Sequence, residues 1–233
     1  MNKDTRVAVC CYAGDQHQVV GNLNAYLHHG CPVTILSPED SQVVINHDSV
    51  TNRFGGKRAY IGQDSLDREA EHLRLLLEFP ENHFLIHDSD SVSLDAKIPD
   101  YLYAEPDILW NNQVNDPIPD HQAFFPDSWP HVAFQAPYFL SRKTIEALLA
   151  VKDDPRCKAS PMMPFIDFYM VQLAYTAGVP WKRYPDCVCC GPGLALGLIS
   201  HNISIYHGIK DPKLVTALVG ARRRFLSGEG RTA

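Results

Sequence analysis

The chain opens on a continuous apolar run, Arg6-Val-Ala-Val-Cys-Cys-Tyr12, that stops at Ala13-Gly14. A short apolar run closed by a turn signal reads as a buried strand. Asp15 is placed to cap a helix that continues to His29, where Gly30 ends it. Cys31-Pro-Val-Thr-Ile-Leu36 is a second buried strand, closed by Ser37-Pro38-Glu39-Asp40. Strand, helix and strand in this order predict a parallel pair with a right-handed crossover. The carboxyl ends of such strands lie at the edge where open α/β sheets bind ligands.

A shorter apolar stretch, Val43-Val-Ile45, precedes Asn52-Arg-Phe-Gly-Gly-Lys-Arg58, which reads as a polar, basic, glycine-containing loop. From Ser65 to Phe79, Leu66, Ala70, Leu73, Leu76 and Leu77 recur at helical spacing, and Pro80 closes the helix. His83-Phe-Leu-Ile-His87 is a short strand that delivers Asp88-Ser89-Asp90 to its carboxyl end. Pro99 to Pro130 is rich in Pro, Asp, Asn and aromatic residues and reads as loops with one strand candidate, Asp107-Ile-Leu-Trp110. His131-Val-Ala-Phe-Gln-Ala136 returns to strand character. Ser141 caps a helix carrying Ile145, Leu148, Leu149 and Val151, and Pro164 opens another that ends at Gly178.

Composition narrows this to one large α/β domain. The 233 residues are 45% hydrophobic and 21% charged, enough for a full core, while 17 prolines point to shaped loops. A formal charge of -6 and a pI near 6.0 exclude a globally basic nucleic-acid binder and leave a local basic groove open. The amino terminus has no apolar stretch of signal-peptide type, and no segment reaches membrane-spanning length. Seven cysteines, including the adjacent pairs Cys10-Cys11 and Cys189-Cys190, make a poor disulfide framework, which suggests a cytoplasmic protein. Cys187-Val-Cys-Cys190 with His201 lacks the spacing of paired zinc knuckles and reads as buried thiols.

Asp88 and Asp90 are two carboxylates one residue apart at a strand end, so both can reach one hard cation, and Mg²⁺ and Mn²⁺ share such oxygens with substrate phosphates. Following a β-α-β start, a basic loop and a helix, this pair resembles the Asp-x-Asp site of the GT-A glycosyltransferases. Ile203-Ser-Ile-Tyr-His207-Gly208-Ile209-Lys210 is similar to the late His, Gly and Lys of that family, although more tightly spaced than the His-x-x-Gly-x-x-Lys form.

The resemblance implies a single GT-A, Rossmann-like domain with a mixed, mainly parallel sheet flanked by helices. Residues 1–95 would bind the nucleotide sugar, and residues 96–233 the acceptor. It implies Mn²⁺ or Mg²⁺ held by Asp88, Asp90 and His207, with Lys210 neutralising the diphosphate. Tyr12, Ala13, Gly14 and Asp40 (or Glu39) would meet the nucleotide, and Arg53, Lys57, Arg58 and Ser89 the diphosphate or sugar. Asp167 would be the general base of an inverting enzyme; as a helix-start Asp it equally suits a cap. Trp110, Asn111, Asn112, Gln135 and Trp181 suit hydroxyl-rich ligands. The donor would be a nucleotide sugar, most simply a UDP-sugar. The acceptor would be a hydroxyl on a small molecule, glycan, protein or hydroxylated nucleic-acid base, Arg222-Arg-Arg224 keeping the last open.

The same Asp88-x-Asp90 resembles the first motif of haloacid-dehalogenase-type phosphatases, with Asp88 as nucleophile. That chemistry needs an acidic pair at a later strand end, whereas Asp153-Asp154 follows a helix-like run. A nucleotidyltransferase would place a basic, glycine-rich loop after the first strand, where this chain has Ala13-Gly14-Asp15-Gln16. A binding module without catalysis would not depend on Asp88 and Asp90.

Overall fold

Alternate residues of the first strand are buried on opposite faces, Val7 and Val9 against one layer and Ala8 and Cys10 against the other. That alternation, with both faces apolar, is what a central strand covered by helices on both sides requires. The strand belongs to a computed structural model describing residues 4–94, 98–114, 133–158, 166–185, 187–189, 205–207, 211, 213–214 and 216–218.

The expected β-α-β start is present: β1 (Thr5–Cys10), α1 (Gln16–His28) and β2 (Val33–Ser37), with β1 and β2 parallel and Cys10 beside Leu36. Gly30, with φ of 65°, ends the α1 turn in the left-handed region that glycine tolerates. β3 (Val50–Phe54) joins β2 in parallel. The loop expected at residues 52–58 is therefore a strand in its first half. Its residues are all half-buried, as befits an edge, so no apolar run marks them in the sequence.

α2 (Gln63–Leu76) leads into β4 (His83–Asp88), which crosses back to the other side of β1 and runs parallel to it. Beyond β4 come β7 (Ala133–Ser141), antiparallel to it, then β6 (Leu109–Val114), then β8 (Trp181–Arg183). The order is β3-β2-β1-β4-β7-β6-β8, with four parallel and two antiparallel neighbours, the mixed and mostly parallel α/β sheet that was expected. α3 (Asp100–Ala104) shares the α1 side of the core through Leu102. α4 (Arg142–Ala150) and α5 (Ile166–Ala177) pack with α2 on the other side. Ser141 caps α4 as expected, its Oγ accepting from Thr144 N at 3.1 Å. Gly178, at φ of 67°, follows the end of α5.

A second, three-stranded sheet joins β5 (Val92–Ser93) to β10 (Ile205–His207) and β9 (Cys187–Cys189). No helix among the described residues is long and apolar enough to cross a membrane.

Candidate active site

The strand order reverses at β1: β2 and β3 lie to one side and β4 to the other. At such a switch point the loops leaving adjacent strands diverge and open a crevice outside their carboxyl ends. Cys10 and Asp88, the last residues of β1 and β4, are register partners and so point to the same face. Directly above them is a cavity of about 510 Å³ lined by residues of β1, α2, β4, β7 and α5.

Five carboxylates line it, those of Asp15, Glu69, Asp88, Asp90 and Asp167, and among the described lining residues one guanidinium, that of Arg68, opposes them. The imbalance perturbs the deepest acids. Burial, aided by the charges of Asp88 and Glu69, pushes Asp167 up to about 7. Burial also pushes Glu69 up to about 7, with Arg68 opposing and Asp88 adding. His72, buried beside Arg68, falls to about 3 and is neutral at ordinary pH. Burial likewise drives the Cys10 thiol upward, with Glu69 and Asp88 adding to it.

One wall is aromatic and cationic. The Tyr12 and Tyr60 rings are 5.6 Å apart, and the guanidinium carbons of Arg68 and Arg58 lie 5.3 and 5.4 Å from the Tyr12 ring centre. Arg68 is held by the Ala59 carbonyl. Its backbone is pressed by Gly56, where a Cβ would come within 2.6 Å of Arg68 Cα. A planar group entering here would meet ring faces and guanidinium planes together. On the opposite wall, β7 carries a bulge against β6, because Asn111 pairs with Tyr138 but Asn112 with Gln135. Bulges re-aim side chains. Gln135 lines the cavity, and its Oε1 is buried without a hydrogen-bond partner.

Of the residues expected from the sequence, Tyr12, Asp88, Ser89, Asp90, Gln135 and Asp167 come together in this cavity. Ser89 Oγ donates to Asp15 Oδ2 at 3.0 Å, tying the Asp-Ser-Asp turn to the loop after β1. Asp15 does occupy the cap position of α1, but its carboxylate makes no cap hydrogen bond and instead serves Ser89 and Tyr12 N. Ala13 and Gly14 form the exposed turn after Tyr12, with Ala13 N donating to Ser41 Oγ. Asp40 accepts from Arg58 N at 2.7 Å, away from the lining.

Arg53 is turned from the cavity, because its place in β3 aims it at Glu78 (3.5 Å) and the Phe79 ring (5.1 Å). Lys57 and Glu39 are exposed and outside the described lining, and Asn111 and Asn112 are buried away from it. Trp110 and Trp181 pack against Tyr101 and Phe134 respectively, outside the cavity. His207 ends β10, whose ladder with β5 pairs Tyr206 with Val92, two residues after Asp90. Lys210, His201, Pro164, Cys190 and Arg222 to Arg224 lie outside the described residues.

Arg68, Glu69 and His72 were missed. The leucines of α2 fixed its main apolar face, and charged residues beside them ordinarily face solvent. Yet Ser65, Glu69, His72 and Leu76 recur at helical spacing as a second stripe, and all four are buried. That stripe was the available signal.

A scan against protein-family models and a search of curated proteins return no match to this chain.

Proposed function

We propose, first, that the chain is a divalent-metal-dependent transferase acting on a nucleoside diphosphate ester. The observation that carries this reading is the convergence of five carboxylates with one arginine at the switch point of an α/β sheet. Carboxylates crowded into a partly buried site repel one another unless a cation joins them, and oxygen donors of this kind suit Mg²⁺ or Mn²⁺. Asp88 and Asp90 would hold the ion, with His207 completing the set from the β10 strand that pairs beside them. Bound there, the ion would neutralise charge on a departing diphosphate.

The particular reading is a glycosyltransferase that moves a sugar from a nucleotide sugar, most simply a UDP-sugar, to a hydroxyl acceptor. Tyr12, Tyr60 and Arg68 supply a stacking slot for the base. Asp167, across the cavity from Tyr12 on the first turn of α5, is raised to about 7, the range in which a general base works best at neutral pH. It would accept the acceptor's hydroxyl proton as that oxygen attacks the anomeric carbon. Gln135 Oε1 would take a hydrogen bond from a sugar hydroxyl.

The phosphatase alternative has no such support. Asp153 and Asp154 are bound to Lys152, Lys158 and Arg156 around a surface 3-10 turn (Pro155–Cys157), and of the two strands beside β4 one, β7, is antiparallel.

The test is a panel of nucleotide sugars assayed for Mn²⁺-dependent hydrolysis or transfer. Turnover should vanish on chelation and fall roughly 100-fold or more in Asp90→Asn, the loss of several kcal/mol of metal-assisted stabilisation. Turnover that survives both treatments would sink the reading. For a nucleic-acid acceptor, binding should weaken steeply with added salt.

A further inference from the structure

The cavity also holds a ligand set of a different chemical character from its aspartates. Cys10 at the end of β1 and Glu69 and His72, three positions apart on α2, bring one sulfur, one carboxylate oxygen and one imidazole nitrogen within 4.8 Å of one another. Cys10 Sγ is 3.8 Å from His72 Nδ1. Glu69 and His72 are only 6% and 3% exposed. We propose that Cys10, Glu69 and His72 form a separate site for a borderline-soft transition metal of the zinc class, lying beside the Asp88 and Asp90 site and chemically distinct from it.

Two observations support the assignment. The first is distance. Zinc bonds of about 2.3 Å to sulfur and about 2.0–2.1 Å to nitrogen or oxygen place tetrahedral ligand atoms about 3.3–3.6 Å apart. The sulfur-nitrogen pair, at 3.8 Å, is already near that spacing, and the Glu69 oxygen lies within 4.8 Å of both. The second is donor type. Thiolate and imidazole favour zinc-class ions, whereas Mg²⁺ and Mn²⁺ favour the all-oxygen set of Asp88 and Asp90.

A fold needing only packing at this point would use apolar side chains, since isolated ionisable groups are costly to bury. The alternative without metal is a neutral thiol donating to the imidazole across the 3.8 Å contact. A metal here would pin β1 to α2 and thereby fix Arg68, the neighbour of Glu69.

The test uses the full chain stripped of metal and titrated with Zn²⁺ by calorimetry, and with Cd²⁺ by its ultraviolet thiolate charge-transfer absorption. One equivalent of zinc should bind, more tightly as pH rises, because protons are released. Affinity should drop in Cys10→Ser and in His72→Gln by more than the roughly 10–100-fold that loss of an outer partner costs. The cadmium absorption should disappear in Cys10→Ser but persist when Cys187, Cys189 and Cys190 are all changed to serine. Asp90→Asn should weaken Mn²⁺ and leave zinc in place, which separates this site from the proposed donor site. If Cys10→Ser does not fold, the triple-serine chain with and without His72→Gln decides the question. Failure of the wild-type chain to take up one zinc, survival of the cadmium absorption without Cys10, or loss of zinc in Asp90→Asn each overturns the proposal.

Discussion

At the amino end of β1, Arg6 lies buried against Glu81 with both charges answered, its Nε and Nη2 donating to the two carboxylate oxygens at 3.1 and 2.9 Å and its Nη1 to Thr34. Phe79 covers the guanidinium at 3.9 Å, and Arg142 closes the same end by donating to the carbonyls of Leu77, Phe79 and Glu81. At the carboxyl end, four positions along the same strand, Cys10 stands beside Asp88 under a set of carboxylates that outnumber their arginine. One end answers its charges with a close ion pair; at the other, the crowding is met by raising the acids Asp167 and Glu69 to about 7. A sheet edge of the second kind is where perturbed acids collect, and such clustering is a pointer to function rather than to stability.

The contrast is sharpened most by removing one partner of the settled end. Glu81→Leu should cost about 3–5 kcal/mol in urea denaturation, since it strands a buried arginine, and Arg6→Met together with Glu81→Leu should recover much of the loss. A cost below about 1 kcal/mol would show that the lower end is not held by this pair.

A second experiment reads the upper end through pH. Asp167 and Glu69 rise from ordinary values of 3.8 and 4.5 to about 7, so between about pH 4 and 7 the folded chain binds more protons than the unfolded one. Their contribution to stability is therefore largest in mild acid and declines as pH climbs to 7, then stays flat. Thermal melts of the metal-free chain should show that decline, and Asp167→Asn with Glu69→Gln should flatten it. A slope unchanged by both substitutions would remove the electrostatic case for the site.

The smallest effect belongs to Ser141→Ala, again at the lower end, where loss of the α4 cap should cost about 1 kcal/mol and leave Mn²⁺-dependent turnover unchanged.

What could be read in advance followed the same division. β1, α1, β2, α2 and β4 were legible because their apolar periodicity is set by two covered sheet faces, and the Ser141 cap and Gly178 stop because each depends on neighbours in sequence. Asp88-Ser89-Asp90 was visible as the turn ending β4. β3 escaped because an edge strand needs no continuous apolar run, and its misreading placed Arg53 at the cavity when the strand turns it toward Glu78. Arg68, Glu69 and His72 escaped because whether a charged helical residue is buried depends on which element packs over it, and here β1 and β4 are distant in sequence. Gln135 was named from its amide chemistry, whereas the bulge beside it is announced by no local pattern.

The small sheet has a consequence in time as well as in space. β5, directly after the aspartates, pairs with β10, so Val92 waits for Tyr206 across more than a hundred residues of chain. Contacts of such long range form late because loop closure must precede them. A ribosome making this protein would release β1, β4 and their carboxylates well before the strand ending in His207. Asp15, Glu69, Asp88 and Asp90 are thus in place along the chain well before Asp167 and the strand that pairs with β5.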